Sequence, residues 1–158
     1  MPIYIEKGFK KAKPTELLIK TSPFEWLQEY EPKFIQQNKN EDDASFLVRL
    51  QTKVKEKLDY FISGYIEPCN EKGNEWHRVS DDIIRRDLIV IDYDDIETDT
   101  ATFIERVKDA LPNTALLFYP SLRYTVEKPR MRVVIEPSRP LVGYEYEIIG
   151  LEIANKIG

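Results

Sequence analysis

Arg86-Asp87-Leu88-Ile89-Val90-Ile91-Asp92-Tyr93-Asp94-Asp95 runs four apolar residues straight into a cluster of carboxylates. Leu88 to Ile91 reads as a strand buried on both faces, because β-branched residues dominate it and no helical period shows. Side chains alternate along a strand, so Asp92 and Asp94 leave on one side and Tyr93 on the other. Two carboxylates about 7 Å apart along the backbone can converge on one cation. Without a cation, unit charges at ~4 Å and an effective dielectric near 20 repel by roughly 4 kcal/mol. A site made only of oxygen favours Mg2+ or Mn2+ over zinc or copper.

The same residues admit other readings. Asp94 to Asp99 is also an ordinary acidic loop leading into a helix capped by Asp or Thr. A calcium loop of the EF-hand kind needs an oxygen ligand where Ile96 stands and a glycine where Glu97 stands, so it fails. A phosphoaspartate phosphatase also sets Asp-x-Asp after an apolar strand. Its usual hydroxyl residue, two places beyond the second Asp, is Ile96 here, which weakens that reading.

Working outward, Asp99 or Thr100 starts a helix with Phe103, Ile104, Val107, Ala110 and Leu111 at helical spacing, stopped by Pro112. Thr114 to Tyr119 is a second buried strand and Arg130 to Glu136 a third, joined by a turn or loop over residues 121–129. In the third strand Met131, Val133 and Ile135 share the core face, with Arg130 and Arg132 on the other. Solvent exposure is the simplest expectation for those two arginines. Gly143 precedes a last amphipathic helix through Ile149, Ile153 and Ile157, and Gly158 stands at its C-cap. The order β-α-β-β-α is an α+β arrangement, a ferredoxin-like or RNA-recognition-like unit without its final strand.

Upstream, Pro2, Pro14, Pro23 and Pro32 leave room only for a short strand over Met1 to Glu6 and a short helix over Phe24 to Tyr30. Asp42 or Asp43 opens a longer helix with Leu47, Leu50, Val54, Leu58 and Phe61 on one stripe. A strand from near Tyr60 ends in Gly64-Tyr65-Ile66-Glu67-Pro68, and residues 69–76 form a loop. Residues 1–59 are therefore expected as a mostly helical extension with a strand, and residues 60–158 as the main domain.

Apolar content of 42% and charge of 32% over 158 residues fit one globular domain with a small appendage. No apolar run reaches the ~20 residues that span a bilayer, and no signal-peptide core opens the chain. The lone cysteine, Cys69, excludes an internal disulfide and agrees with a cytoplasmic location. The lone histidine, His77, excludes a multi-histidine metal site and reads as a loop residue beside Trp76. A net charge of −5 argues against broad attraction to nucleic acid. Charge is uneven, however: five basic and two acidic residues lie between Arg123 and Arg139, and five acids with no base between Asp92 and Asp99. Patches of both signs in one cleft suit a metal–nucleotide ligand better than a long duplex.

From about Tyr60 to Gly158 these residues resemble the archaeo-eukaryotic primase superfamily, specifically the primase–polymerase domains of phages, plasmids and integrated elements of Gram-positive bacteria. The resemblance rests on Gly64, on Arg78 and Arg86, and on Ile91-Asp92-Tyr93-Asp94. It continues through the Thr114–Tyr119 strand, Lys128-Pro129-Arg130-Met131-Arg132-Val133-Val134-Ile135, Ser138-Arg139-Pro140-Leu141 and the Tyr144–Ile157 helix. It implies a primase palm in which Asp92 and Asp94 bind Mg2+ or Mn2+ for two-metal nucleotidyl transfer. It implies phosphate contacts from Arg130, Arg132 and Lys128, with Ser121 and Arg123 beside them, and nucleic-acid contacts from Arg78 and Arg86. Arg78 and Arg86 have the alternative of pairing with Asp81, Asp82 or Asp87. The expected partners are nucleoside triphosphates, a single-stranded DNA template and a helicase domain or protein.

Two departures shape the functional expectations. Tyr119-Pro120-Ser121-Leu122-Arg123-Tyr124-Thr125 lacks the family's nucleotide-gripping histidine. The family's third carboxylate and completing strand lie beyond the last helix, so the chain reads either as part of a longer palm or as a truncated relative that has become a binding module, with an open sheet edge suited to dimers. Three classes stay open: a nucleotidyltransferase inactive as this chain alone, a non-catalytic nucleotide or nucleic-acid binding module, and a phosphatase using Asp92 as nucleophile.

Overall fold

The computed structural model of the chain describes residues 2–7, 15–18, 21–31, 33–62, 64–67 and 83–158. Arg78, Cys69, His77 and the loop expected over residues 69–76 lie outside the described residues. At the N-terminus β1 (Pro2–Lys7) pairs antiparallel with β2 (Thr15–Leu18) and with β3 (Asp59–Ile62). The boundary expected at residue 59/60 therefore falls on a strand that pairs with the first one.

Between these strands, α1 (Pro23–Glu29) starts on a reciprocal cap. Glu25 N donates to Ser22 Oγ at 3.1 Å and Ser22 N donates to Glu25 Oε2 at 3.0 Å, satisfying two otherwise orphaned donors. The Asp42 carboxylate caps α2 (Asp43–Arg49) by accepting from Ser45 N at 2.7 Å. The stripe expected to run as one helix to Phe61 changes character sooner. Leu50–Val54 is a π-helical turn, Lys55–Lys57 a 3-10 turn, and Phe61 already belongs to β3.

The single strand expected from Tyr60 to Pro68 is two strands in two sheets. β4 (Gly64–Ile66) leaves β3 to pair with β5 (Ile83–Arg86). Gly64 permits this, since a Cβ there would stand 1.9 Å from the Arg85 carbonyl oxygen.

The main sheet follows the expected order. β6 (Ile89–Tyr93) leads to α3 (Thr100–Ala110), capped by Asp99 accepting from Thr102 N at 2.9 Å, and Asn113 turns the chain with φ +60°. β7 (Leu116–Pro120) and β8 (Met131–Ile135) complete a sheet of order β6-β8-β7, with β8 antiparallel to both neighbours. β6 and β7 are thus parallel, joined through α3, with the later strand inserted between them. β9 (Leu141–Val142) returns to pair with β5, and α4 (Gly143–Ile157) closes the described chain at Gly158, φ +86°.

Alternation sorts this sheet into two faces. Ile89, Met131, Val133 and Ile135 are buried against Phe103 and Val107 of α3 and Ile157 of α4, with Ile91, Tyr93, Leu116 and Phe118 packed beside them. The opposite face carries Val134, with Val90, Leu117 and Tyr119, against Phe24 of α1, Leu27, Phe61 and Leu88. That second apolar cover stops short of the sheet's far end, where the polar residues begin. The architecture is mixed α+β. No helix among the described residues is long and apolar enough to cross a membrane.

Candidate functional site

Asp92 is the last residue but one of β6, on the face away from α3 and α4, and Arg132 of β8 stands directly opposite it. Tyr119 of β7 is in turn the register partner of Arg132. One rung therefore crosses all three strands as carboxylate, guanidinium and phenol. The Arg132 Nε donates to Asp92 Oδ1, and its guanidinium carbon lies 5.8 Å from the centre of the Tyr119 ring. Burial alone would lower the Arg132 pKa, but the hydrogen bond to Asp92 and its neighbours' charge leave it raised. Burial pushes the Tyr119 hydroxyl up, so the phenol stays a neutral donor at neutral pH.

Two residues further along, Arg130 Nη1 donates to Asp94 Oδ1 at 3.1 Å. The alternation expected from sequence thus places both aspartates on one face, and each has its own arginine. Asp92 and Asp94 keep 53% and 65% of their side-chain surface exposed, against 41% for Arg132 and 22% for Arg130. The acids stand toward solvent and the arginines beneath. The repulsion between paired carboxylates is met here by two guanidinium groups, and the simple expectation of two solvated arginines is replaced by two cross-strand ion pairs.

Of the other expected residues that the structure describes, Ser121, Arg123 and Lys128 follow β7 past this rung, and Arg86 does not. Ser121 N donates to the Arg130 carbonyl at 2.9 Å, so Ser121 sits beside the site. The hairpin loop beyond it is tied down by Tyr124, whose hydroxyl shares a 3.0 Å hydrogen bond with Thr100 Oγ1 of α3. It is tied again by Lys128 N donating to Thr125 Oγ1 at 3.0 Å. Arg123 and Lys128 project from that loop, both exposed. Arg86 is not brought to the site: it lies before β6, at the other end of the strand from Asp92, and stacks on Tyr146 of α4 at 4.7 Å. Asp87 pairs with Arg85 rather than Arg86. Nε and Oδ1 approach to 2.9 Å without hydrogen-bond alignment, and Nη2 donates to Oδ2 at 3.3 Å.

Ile96 is buried in the core among Phe103 and its neighbours, so no oxygen ligand or hydroxyl could be presented from that position without breaking the packing. Among the described residues no group of three or more His, Cys, Asp or Glu side chains is placed to hold one metal ion. Two exposed carboxylates on one face nonetheless form a fitting all-oxygen half-site for Mg2+ or Mn2+, which keeps much of its shell as water or ligand phosphate. Tyr119 was not singled out from sequence. The alternation of Leu116 to Pro120 already set it opposite Leu116 and Phe118, and only the register of β7 on β8 puts it beside Arg132.

Residues 35–158 match the family model of the VapE N-terminal domain. The chain belongs to that family. No curated protein and no solved structure matches it. The match covers the whole β6–α4 unit together with α2 and the β4–β5 pair. Membership in the VapE N-terminal domain family fits a replication-associated region of a phage or plasmid type of element. In this VapE N-terminal domain, the Asp92–Arg132 and Asp94–Arg130 pairs are the polar centre of the matched region's main sheet.

Proposed function

We propose that this domain is a primase–polymerase type of palm, whose open sheet face holds a nucleoside triphosphate and a divalent cation for nucleotidyl transfer to a primer strand. The supporting observation is the pair of Asp–Arg contacts on the face of a β6-β8-β7 sheet turned away from α3 and α4, beyond the part that α1 covers. Such a face offers a metal–triphosphate complex both partners it needs. Asp92 and Asp94 would hold Mg2+ or Mn2+, while Arg130 and Arg132 exchange their carboxylates for phosphate oxygens in charge-assisted hydrogen bonds. Bound there, the cation would polarise the triphosphate and lower the pKa of an attacking 3′-hydroxyl. Tyr119 would position the Arg132 guanidinium from beneath, and Ser121, Arg123 and Lys128 would contact the outer phosphates. The template would be single-stranded DNA, and the cellular setting cytoplasmic.

Calorimetric titration of the chain with Mn2+ and a non-hydrolysable triphosphate tests this. Binding that disappears in Asp92→Ala/Asp94→Ala is the expected result, and equal heats from wild type and variant would remove the proposal.

A second reading, a nucleotide-binding module without chemistry, draws on the absence, among the described residues, of a third carboxylate placed to share the metal, and on the lack of a histidine in Tyr119–Thr125. In-line transfer needs metals held in geometry, and a misplacement of about 1 Å costs on the order of a hundredfold. Template-directed incorporation of labelled nucleotide separates the two. Synthesis by this chain that vanishes in Asp92→Ala selects the enzyme, and tight triphosphate binding without synthesis selects the module.

A further inference from the structure

Arg86 is a half-buried cation with no carboxylate partner among the described residues. One face of its guanidinium lies 4.7 Å from the centre of the Tyr146 ring. Its neighbour Asp87 is already committed to Arg85. An arginine in a protein cannot shed its proton, so its partial burial carries a desolvation cost that a bound anion would offset. Burial depresses its pKa, and the nearby Tyr146 opposes that only in part. The ring beneath it is fixed: the Tyr146 hydroxyl donates to the Val90 carbonyl at 3.2 Å and accepts from Val90 N at 3.4 Å.

A pocket of about 440 Å3 opens at this point, lined by Ile83, Ile84, Arg86, Gly143, Tyr144, Tyr146 and Glu147. That volume lies within the usual range for small-ligand sites. Tyr144 stands in the pocket wall with 70% of its surface exposed, and Ile84 is exposed beside it. At the start of α4 the N-cap amide is already used, Val142 N donating to Glu145 at 3.1 Å.

We infer that this pocket binds single-stranded nucleic acid, taking one base against Tyr144 and the Arg86 guanidinium plane and the adjoining phosphate on the Arg86 charge. Aromatic rings and guanidinium planes both stack on unpaired bases, and arginine also supplies the phosphate contact. Base pairing hides those faces, so duplex is excluded. Glu147 at the same pocket opposes phosphate and limits the site to one cationic centre. The surface is separate from the Asp92–Asp94 site: Asp92 lies six positions along the chain from Arg86, a span of at most about 22 Å. A strand seated at Arg86 would be within reach of the other site, but its binding needs neither metal nor triphosphate.

The test is fluorescence anisotropy of a labelled oligothymidine strand with the whole chain in metal-free buffer, with free thymidine monophosphate as competitor. Tyr144→Ala and Arg86→Gln should each weaken binding about tenfold, and Glu147→Gln should tighten it. Competition by the monophosphate at matched nucleotide concentration assigns the same phosphate-and-base site to free nucleotides, and its failure assigns the site to the polymer. Tyr144 is on the surface, so its variant folds, and a melting curve reports whether Arg86→Gln does. The proposal falls if the wild-type chain does not bind the strand, or if Tyr144→Ala binds as wild type. It also falls if Lys108→Gln on α3 weakens binding as much as Arg86→Gln, which would mean diffuse charge attraction. Self-association lost in Tyr144→Ala, with no strand binding, would make this a protein interface instead.

Discussion

Asp92 and Arg132 face each other in register across β6 and β8, and the guanidinium donates to the carboxylate. Asp94 and Arg130 repeat the relationship nearer the strand end. Each acid therefore has two possible partners, the arginine beneath it or a cation arriving from solvent. Each arginine likewise has two, the acid or an arriving phosphate. Metal alone would strand two arginines, and triphosphate alone would strand two acids. Together they can replace both pairs.

This competition gives opposite signs for two measurements on one variant. In Arg130→Gln/Arg132→Gln the acids are released, so Mn2+ by itself should bind more tightly, by about two- to fivefold for each half-exposed pair removed. The same variant should bind Mn2+ with triphosphate at least about tenfold more weakly, because each charge-assisted phosphate contact is worth roughly 1.5–3 kcal/mol. Titration of Mn2+ followed by its paramagnetic signal, with and without the triphosphate analogue, measures both. Unchanged or weaker binding of Mn2+ alone would show that arginine and metal do not compete for these carboxylates.

Two glycines should respond oppositely to alanine. At Gly64 a Cβ would stand 1.9 Å from the Arg85 carbonyl oxygen, which belongs to the paired strand and cannot rotate aside. Gly64→Ala should cost about 1–3 kcal/mol and lower the melting temperature by roughly 3–10 °C. At Gly150, inside α4, nothing lies within 4 Å of the added carbon. Gly150→Ala should raise stability by about 0.5–1 kcal/mol through helix propensity. Thermal melts of the two variants side by side decide the matter, and a neutral Gly64→Ala would mean that β4 does not hold this close register.

The contrast between elements read correctly and elements missed has a physical basis. Asp99 capping α3, and Ile89 alternating with Val90, are local patterns, written in neighbours along the chain. The break between Ile62 and Gly64 is not, because it depends on β3 finding β1 while β4 finds β5. β9 is two residues long and carries no period at all. At the site, the face shared by Asp92 and Asp94 follows from alternation. Their partners lie 40 and 36 positions away and appear only once β8 is inserted between β6 and β7. A reading that treats acids and arginines as separate patches assigns metal to one and phosphate to the other, and misses that they hold each other.

Tyr146 bears on the outer edge of β6. Its hydroxyl serves both the N–H and the carbonyl of Val90, which point away from β8, and so occupies part of the edge expected to lie open for pairing. Tyr146→Phe should cost about 1 kcal/mol and speed exchange of the Val90 amide proton several-fold. It should also produce concentration-dependent association in sedimentation that the parent chain does not show. Unaltered exchange at Val90 would mean that the hydroxyl contact is not maintained in solution.

Glu145, in the first turn of α4, gives the clearest dependence on pH. Arg139 grips it from both guanidinium nitrogens, Nη2 to Oε1 at 2.7 Å and Nη1 to Oε2 at 2.9 Å, and Val142 N donates to Oε2 at 3.1 Å. The Arg139 hydrogen bonds first, and the Val142 amide second, hold the Glu145 carboxyl at about 2 against an ordinary 4.5. The folded value is the lower one, so the ionised contacts contribute stability that is complete above pH 4.5 and is lost as pH falls toward 2. Arg139 is exposed, and salt should weaken its contribution more than that of the amide. Carbon-detected magnetic resonance of the side-chain carboxyl should place the Glu145 midpoint near 2, and Arg139→Gln should bring it back toward 4.5. The melting temperatures of wild type and Glu145→Gln should converge as pH falls through that same interval. A Glu145 midpoint at the ordinary value in the parent chain would remove Arg139 as the clamp on the start of α4.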